Sequence, residues 1–336
     1  MNNIIFDISV LLPTYNAEKY ISDSLESITQ QTYKDFHILI IDDCSTDNTF
    51  NIIKKYKKKD SRIQIFRNSK NIGIVKTRNK LFDLSQSEYL AICDADDLYA
   101  RNRLQVQLDF LKVNKDIDAV SSNFIHGIGS SSICKFPSET NLISAYLYLK
   151  NVFPNPGAMV RKSSIQRANI KYREKFQFAS DFDFWSRLSE NGKLANVDEC
   201  LFSYRIHNQQ ISEKKKLEQK NSHLQIVSNK LRKIGIKCSD STLRSLIWKQ
   251  NIHNINQLNS ICTETNTLIE KLKNTSNYLI PYIFDLSLKS VCKDYGLDGL
   301  RCYLNNRGLK NFSKSKIFGL KFAYDCFKKF LQKEIH

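Results

Sequence analysis

Three short apolar runs, each followed at once by polar or acidic residues, constrain the fold of this chain most strongly. The runs cover residues 8–12, 37–41 and 89–93. Each is too short for a helix, rich in Ile, Leu and Val, and bounded by turn-forming residues, which is typical of a strand buried on both faces. Helical stretches separate the runs, so we expect parallel strands. Ligands of an open parallel sheet bind beyond the carboxyl ends of its strands, so the residues that follow the runs should meet in one crevice.

Beyond these runs, the alternation of strands and helices continues and then gives way to helical segments. A further strand is predicted at residues 62–66, and the strand–helix units repeated before residue 97 are typical of a doubly wound α/β fold. The pattern fades near residue 210, where mixed helical segments follow without a Gly- or Pro-rich linker. We therefore expect an α/β domain over residues 1–210 and a basic, mainly helical region over residues 211–336.

Composition narrows the class of protein. The 336 residues are 41% hydrophobic and 25% charged, which is typical of a soluble globular protein. The nine cysteines are scattered without a C-x-x-C pair, which favours buried thiols in a reducing compartment over a disulfide framework or a zinc site. Neither a spanning helix nor a signal peptide is evident. These features predict a cytoplasmic protein, with the inner face of the cell membrane as one place of action.

The net charge of +17 is unevenly distributed. Residues 1–210 hold 28 Lys and Arg against 24 Asp and Glu, a net of +4, whereas residues 211–336 hold 23 against 10, a net of +13. Such a basic region indicates either an anionic partner or simply a solvated face. Apolar residues at helical spacing between Ile317 and Leu331, with lysines around them, predict a basic amphipathic helix on an anionic membrane surface. An ordinary terminal helix docked on the domain is the alternative.

Six polar motifs lie in the first 210 residues, in a characteristic order. They are Pro13-Thr-Tyr-Asn16, Asp42-Asp-Cys-Ser-Thr-Asp47, Asn71-Ile-Gly73 with Arg78-Asn79, Asp94-Ala-Asp-Asp97, Ser180-Asp-Phe-Asp-Phe-Trp185 and Tyr204-Arg-Ile-His207. In this order and spacing they resemble glycosyltransferase family 2, over roughly residues 8–208. The resemblance implies a GT-A fold, with a doubly wound, mostly parallel sheet, flanking helices and a nucleotide-sugar site.

The resemblance implies a divalent metal at Asp94-Ala95-Asp96. A cation that bridges the donor diphosphate stabilises its departure as a Lewis acid, and Mn²⁺ or Mg²⁺ prefers carboxylate and phosphate oxygens. Asp96 would bind the metal with His207 as a further ligand, while Asp94 and Ala95 would contact the nucleotide. A polar turn that closes a strand is the alternative for the aspartates, and a structural role is the alternative for His207.

The same resemblance implies a nucleotide pocket. Asp43 would accept a hydrogen bond from the uracil N–H, because a carboxylate only accepts; the alternative is a helix-capping loop. Arg78 suits phosphate recognition, although a salt bridge to an acidic loop is the competing role. The other residues expected around the nucleotide are Pro13, Thr14, Tyr15, Asn16 and Asn71.

The catalytic base implied by the resemblance is Asp181. Inverting transfer requires a base that removes the acceptor hydroxyl proton during attack on C1, through a transition state with oxocarbenium character. The family usually has Glu-Asp at this place, whereas this chain has Ser180-Asp181, so only the aspartate is retained. An N-cap carboxylate is the alternative.

The resemblance therefore implies a metal-dependent, inverting glycosyltransferase. It would move one sugar from a UDP-sugar to an acceptor hydroxyl of a polysaccharide or glycolipid precursor, and a UDP-α-sugar would give a β-linked product. The Gln-x-x-Arg-Trp motif and spanning helices of the processive synthases are absent, which favours single additions.

Two alternative functions would need other sequence features. A nucleotidyltransferase would need a glycine-rich phosphate loop after the first strand, and a nucleic-acid-binding protein would need basic and aromatic residues interleaved on the α/β face. We therefore expect no nucleic-acid partner.

Overall fold

The computed structural model describes residues 6–207, 210, 215–250, 252–307 and 325. Contacts divide the chain into a first unit, formed by residues up to 147 with 151–223, and a second unit, formed by residues 148–150 and those from 224 onward. The functional border predicted at residue 210 stays a prediction. The units are described separately below.

The first unit is an α/β unit built around one sheet. Its strands are β1 (Ile8–Thr14), β2 (Phe36–Asp42), β3 (Ile63–Arg67), β4 (Tyr89–Ile92), β5 (Leu98–Tyr99), β6 (Ala119–His126), β7 (Ile133–Cys134), β8 (Met159–Arg161) and β9 (Leu194–Tyr204). Its α-helices are α1 (Ile21–Thr29), α2 (Thr49–Lys59), α3 (Ile74–Leu84), α4 (Arg103–Val113), α5 (Thr140–Tyr146), α6 (Lys162–Ala168) and α7 (Ser180–Leu188).

The strand order is β3-β2-β1-β4-β8-β6-β9-β5, with β7 paired to β6. Strands β1 to β4 are mutually parallel, as predicted, because the chain crosses over through a helix between them. Strand β8 is antiparallel to both β4 and β6, whereas β6 and β9 are parallel. The predicted α/β fold of GT-A type is therefore confirmed, with a sheet that is mixed in its second half.

Burial on both faces explains the composition of the central strands. Every residue of β1, β2 and β4 is buried. Because side chains alternate across a strand, Val10 and Leu12 pack into the core with helices α1, α2 and α4, while helix α3 contacts β1 and β2 separately. Each fully buried Ile or Leu side chain stabilises the fold by about 1.5–3 kcal/mol before entropy is counted.

The second unit is helical, as predicted for the C-terminal region. Helix α8 (Lys216–Lys233) leads into it from the first unit, and α9 (Asp240–Trp248), α10 (Ile255–Leu272), α11 (Leu279–Lys293) and α12 (Gly296–Arg307) follow. The side chains of Ser239 and Asn254 cap α9 and α10 by accepting backbone N–H groups. Gly299 is required where α11 and α12 meet, because a Cβ there would lie 1.8 Å from the carbonyl oxygen of Cys292.

Within the described ranges, no helix combines the length and the apolar character that a membrane crossing requires. The amphipathic basic helix predicted around residues 317–331 lies outside the described residues, apart from position 325. Contact with an anionic membrane therefore stays a prediction.

Candidate active site

The loops that follow β1, β2 and β4 are neighbours at one edge of the sheet. Thr14 pairs with Asp42 at the ends of β1 and β2, and Leu11 pairs with Ile92 across β1 and β4. The backbone N–H of Asp43 donates to the carbonyl of Thr14 over 2.8 Å, which joins the first two loops directly. The residues that follow these strands therefore lie together at one edge of the sheet, while a ligand crevice there stays a prediction.

The loop after β1 is locked to the loop after β2 through Asn16. Its backbone N–H donates to Ser45 Oγ over 3.0 Å, and its Oδ1 accepts the N–H of Thr46 over 2.9 Å. Asn16 has a φ of +47°, a left-handed conformation that asparagine tolerates better than most residues. Pro13 and Thr14 are buried, whereas the ring of Tyr15 is 49% exposed, so packing does not occupy it.

Asp43 anchors the turn that begins helix α3. Its carboxylate accepts the side-chain amide of Asn68 over 2.8 Å and the backbone N–H groups of Ile72 over 2.9 Å and Gly73 over 2.8 Å. Gly73 has a φ of +87°, which few other residues adopt. Asn71, in the same turn, is exposed and accepts the N–H of Gly73 with Oδ1. A carboxylate has about four acceptor positions, so Asp43 retains capacity for about one more donor.

Arg78 pairs with the acidic loop after β4. Its guanidinium donates to Asp94 Oδ1 over 2.8 Å, and the arginine side chain is only 13% exposed. The guanidinium also lies 5.5 Å from the ring centre of Tyr172. The competing role, a salt bridge to an acidic loop, is thus realised, and the contact of Arg78 with a nucleotide stays a prediction.

Asp96 and His207 meet as the sequence pattern suggested. Asp96 Oδ2 lies 2.9 Å from His207 Nε2, and the histidine ring stacks on Tyr20 of the segment before α1 with 4.4 Å between ring centres. Burial raises the pKa of the Asp96 carboxyl, the charge of Asp94 raises it further, and His207 opposes both effects. Ala95 between the two aspartates is buried.

Arg205 holds the acidic loop, a role that the sequence pattern did not reveal. Its Nε donates to the carbonyl of Asp96 over 2.7 Å, and its backbone N–H donates to Asp97 Oδ1 over 2.9 Å. A further bond of 2.9 Å joins its Nη2 to Asp23 of α1. Burial and the charges of Asp96 and Asp94 raise the pKa of Asp97 well above its ordinary value, against the influence of Arg205. The arginine inside the Tyr204-Arg-Ile-His207 motif was the signal available.

Asp181 lies in the first turn of α7. Its side chain is partly exposed. Burial raises the pKa of its carboxyl and the charge of Asp94 adds to this, while Arg78 opposes them, so the carboxylate is within electrostatic reach of the Arg78–Asp94 pair. Asn151 Nδ2 donates to its Oδ2 over 3.0 Å. Asp183, two residues later, is 1% exposed and paired with Arg173 and Arg187, which is a structural role.

Asp96 and His207 suit a cation whose remaining coordination positions are filled by atoms of a bound ligand. Among the described residues, no group of three or more His, Cys, Asp or Glu side chains has the geometry of an all-protein metal site. Asp96 and His207 supply two ligand atoms side by side, and Mg²⁺ or Mn²⁺ is commonly held by one or two protein groups together with phosphate oxygens. The crowded charges that raise the pKa of Asp96 are those a cation would neutralise.

A separate cavity of about 700 Å³ lies away from these loops, near the opposite ends of β4 and β9. Its charges are largely paired with one another, as in the bonds of Arg167 to Asp118 and of Lys193 to Asp116. None of the predicted site residues lines it. The residues that do are Glu88, Tyr89, Lys112, Lys115, Asp116, Asp118, Arg161, Ser163, Arg167, Asn191 and Lys193.

Comparisons with known proteins identify the family of this chain. The family model described as glycosyl transferase family 2 matches residues 9–166. An uncharacterized glycosyltransferase of Methanocaldococcus jannaschii is 36% identical over 60% of this chain and 71% of its own length. One of Haemophilus influenzae is 31% identical over 83% of this chain and 93% of its own length. The UDP-Glc:alpha-D-GlcNAc-diphosphoundecaprenol beta-1,3-glucosyltransferase WfaP of Escherichia coli is 29% identical over 68% of this chain and 87% of its own.

Solved structures share the fold at low identity. S. aureus TarS 1-349 in complex with UDP-GlcNAc has a TM-score of 0.56 at 19% identity, covering 89% of each chain. The mannosyltransferase PcManGT of Pyrobaculum calidifontis, in complex with GDP-Man and Mn²⁺, has a TM-score of 0.55 at 14% identity, covering 97% of this chain and 87% of the other. With the sheet order, the loop geometry and these relatives together, the chain belongs to glycosyltransferase family 2 and has the GT-A fold.

Proposed function

We propose that this protein is an inverting glycosyltransferase that moves one sugar from a UDP-sugar to an acceptor hydroxyl of a polysaccharide or glycolipid precursor. One observation carries the proposal. Asp94, which is paired with Arg78, raises the pKa of both Asp96 and Asp181, so the Asp96–His207 pair and Asp181 lie within electrostatic reach of the same carboxylate. Sugar transfer needs a group that binds the diphosphate charge and a base, both within reach of one donor sugar.

On the donor side, Asp96 and His207 would hold Mn²⁺ or Mg²⁺. The bound cation supplies Lewis-acid stabilisation of the negative charge that develops on the leaving diphosphate. Asp43 has capacity for about one more N–H donor, which suits the single imide N–H of uracil. The exposed ring of Tyr15, beside Asn16, offers a face for the base.

On the acceptor side, Asp181 takes the proton of the acceptor hydroxyl as its oxygen attacks C1 of the sugar. The new C1–O bond forms on the face opposite the breaking C1–O bond to phosphate, and UDP leaves with the electron pair. An α-linked donor therefore gives a β-linked product. The raised pKa of Asp181 suits this task, because a stronger base accepts the hydroxyl proton more readily once it is ionised.

Two relatives support the class of substrates. The E. coli relative is named for a UDP-Glc donor and a diphosphoundecaprenol-linked acceptor, and the TarS structure contains UDP-GlcNAc. A lipid-linked acceptor would bring the protein to the inner face of the cell membrane, where its basic C-terminal region would meet anionic lipid. The residues after β4 at this edge are carboxylates, which repel nucleic acid, so no observation favours the nucleic-acid alternative.

A thermal-shift and transfer screen tests the proposal. Wild-type protein is mixed with UDP-Glc, UDP-GlcNAc or GDP-Man, each with and without Mn²⁺, and UDP or GDP release is followed with saccharide and polyprenyl-diphosphate acceptors. We expect stabilisation by a UDP-sugar only when Mn²⁺ is present. Stabilisation by GDP-Man alone, or equal stabilisation without metal, would overturn the donor or the metal assignment.

A variant of the proposed catalytic base separates donor binding from sugar transfer. Asp181→Asn is expected to retain the UDP-sugar thermal shift and to lose transfer by about 10²–10⁴-fold, the range of general base catalysis. Asp116→Asn, at the separate cavity, is the matched control and should transfer at the wild-type rate. An Asp181→Asn enzyme with wild-type transfer would remove the base from the proposal.

A further inference from the structure

The side chain of Asn151 is held by the loop that carries it. Its Oδ1 accepts the backbone N–H of Phe153 over 3.2 Å, a short-range asparagine turn. Because the carbonyl end of the amide is engaged in this way, the NH₂ end is the one that points away from the loop. That end donates to Asp181 Oδ2 over 3.0 Å. The reverse orientation would set two oxygens against each other.

The loop itself is fixed to the sheet and to helix α7. The carbonyl of Val152 accepts the amide of Asn196 on β9 over 3.1 Å, and the carbonyl of Pro154 accepts the hydroxyl of Ser121 on β6 over 2.7 Å. Phe153 is 1% exposed, and its ring lies 4.6 Å from that of Trp185 on α7, the helix that carries Asp181. Asn151 and the carboxylate are thus mounted on elements that are packed together.

From this geometry we infer that Asn151 is the positioning residue of the catalytic base, an inference that rests on the proposed function. Its amide holds one oxygen of the Asp181 carboxylate in place and stabilises the ionised form, leaving the remaining lone pairs for the acceptor hydroxyl. Asn151 itself touches no substrate in this assignment. It acts only through Asp181.

The chemistry needs such a group. Burial raises the pKa of the Asp181 carboxyl and the charge of Asp94 adds to this, whereas Arg78 and the backbone N–H groups of Phe182 and Asp181 lower it. The net effect favours the protonated carboxyl, which cannot accept the proton of a hydroxyl. A hydrogen bond donated to the charged form lowers the pKa of an acid. Without the amide, Asp181 would hold its proton to higher pH, and transfer would fail over a wider acid range.

Two substitutions separate this role from a structural one. Asn151→Ala removes both the turn bond to Phe153 and the donor to Asp181. Asn151→Asp retains an oxygen for the N–H of Phe153 and replaces only the donor, now with a second negative oxygen. Ser121→Ala is the matched control, because it weakens the tie of the same loop at Pro154 without touching the carboxylate.

The first measurement is the pH profile of kcat for single-sugar transfer at saturating donor. We expect the acid limb to move to higher pH by about one unit in Asn151→Ala and by more in Asn151→Asp. The KM for the nucleotide sugar and its thermal shift should stay within about twofold of wild type. Ser121→Ala is expected to keep the acid limb in place. An unmoved limb in both Asn151 variants would overturn the inference.

The second measurement does not depend on turnover. The carboxyl ¹³C signal of Asp181, labelled with ¹³C-aspartate and assigned by its loss in Asp181→Asn, is titrated in wild type, Asn151→Ala and Asn151→Asp. We expect the pKa of Asp181 to rise in that order, and equal values would overturn the role of Asn151. A wild-type protein that transfers no sugar from any donor would instead overturn the proposed function, while this titration would still decide on Asn151.

Discussion

The two acidic loops of the first unit, after β2 and after β4, have similar sequences. They differ in how far other protein groups neutralise their carboxylates. After β2, Asp42 is bonded to the guanidinium of Arg67 over 3.0 Å and to the N–H of Ser45 over 3.1 Å. Asp43 accepts three donors from the turn before α3. Asp42 thus has a cationic partner and Asp43 has three N–H donors, so both carboxylates stabilise the architecture of the loop, although Asp42 Oδ1 is buried without a partner among the described residues.

After β4 the carboxylates are close together, and other protein groups neutralise less of their charge. Asp94 has one arginine and Asp96 one histidine, while Asp97 has a backbone N–H of Arg205 and a further oxygen that is buried without a partner among the described residues. Burial and mutual repulsion raise the pKa of Asp96 and of Asp97. The comparison teaches that the protein neutralises less of the charge after β4 than after β2. The loop after β4 therefore suits the proposed cation, while Asp43 combines a structural role with its proposed contact to the base.

The largest effect is expected on sugar transfer, when the loop after β4 loses Asp96 as the proposed metal ligand. Asp96→Asn should lower transfer by about a thousandfold, because several kcal/mol of leaving-group stabilisation depend on the cation. The metal-dependent thermal shift with a UDP-sugar should vanish as well. Transfer assays over a range of Mn²⁺ concentrations measure both effects, and metal-dependent transfer at the wild-type level would place the cation elsewhere.

Stability is expected to rank the two loops in the opposite order. Asp43→Asn should lower the free energy of unfolding by about 2–3 kcal/mol, because the NH₂ group that replaces one carboxylate oxygen cannot accept and leaves at least one of the three donors unpaired. Asp96→Asn should leave the stability of the ligand-free protein unchanged or higher, because it removes one of the repelling charges. Urea unfolding without ligand measures the difference. Equal losses in the two variants would contradict the comparison.

Much of this arrangement could be predicted from short sequence windows. The runs at 8–12, 37–41 and 89–93 became β1, β2 and β4 because an uninterrupted apolar run between turn residues has few other solutions than a buried strand. Parallel pairing then placed Thr14, Asp43 and Asp94 at one edge. The acidic loops could therefore be located before any coordinate was known.

The rest depends on contacts between distant residues. Arg205 bonds the acidic loop across 108 positions of sequence, and Asn151 meets Asp181 from a loop in which no motif singled it out. The short strand β5 forms only by antiparallel pairing with β9, a pairing that two residues cannot encode by periodicity. Local patterns thus predicted where the acidic loops lie, but not the groups that hold them in place.

A substitution at Arg205 tests what holds the loop after β4 in place. Arg205→Lys retains the positive charge but loses the planar fork that reaches both Asp96 and Asp23. We expect the Mn²⁺ concentration at half-maximal transfer to rise about tenfold, the scale seen when partners of metal ligands are lost. Lys193→Arg at the separate cavity is the matched control. An unchanged Mn²⁺ requirement would show that the loop keeps its geometry without the fork.

The smallest effect is expected at the opposite end of β2, where the titrating group is a base rather than an acid. His37 is 7% exposed and lies 2.5 Å from the hydroxyl of Ser9, and burial lowers its pKa below the ordinary 6.5. The folded state therefore favours the neutral ring, so its contribution to stability is complete above pH 6.5 and is lost as the pH falls through the lowered value. Unfolding free energies measured from pH 7.5 to 5 should decrease more steeply in wild type than in His37→Gln, which has no ring to protonate. Parallel pH curves for the two proteins would show that protonation of His37 does not contribute to the acid sensitivity of this unit.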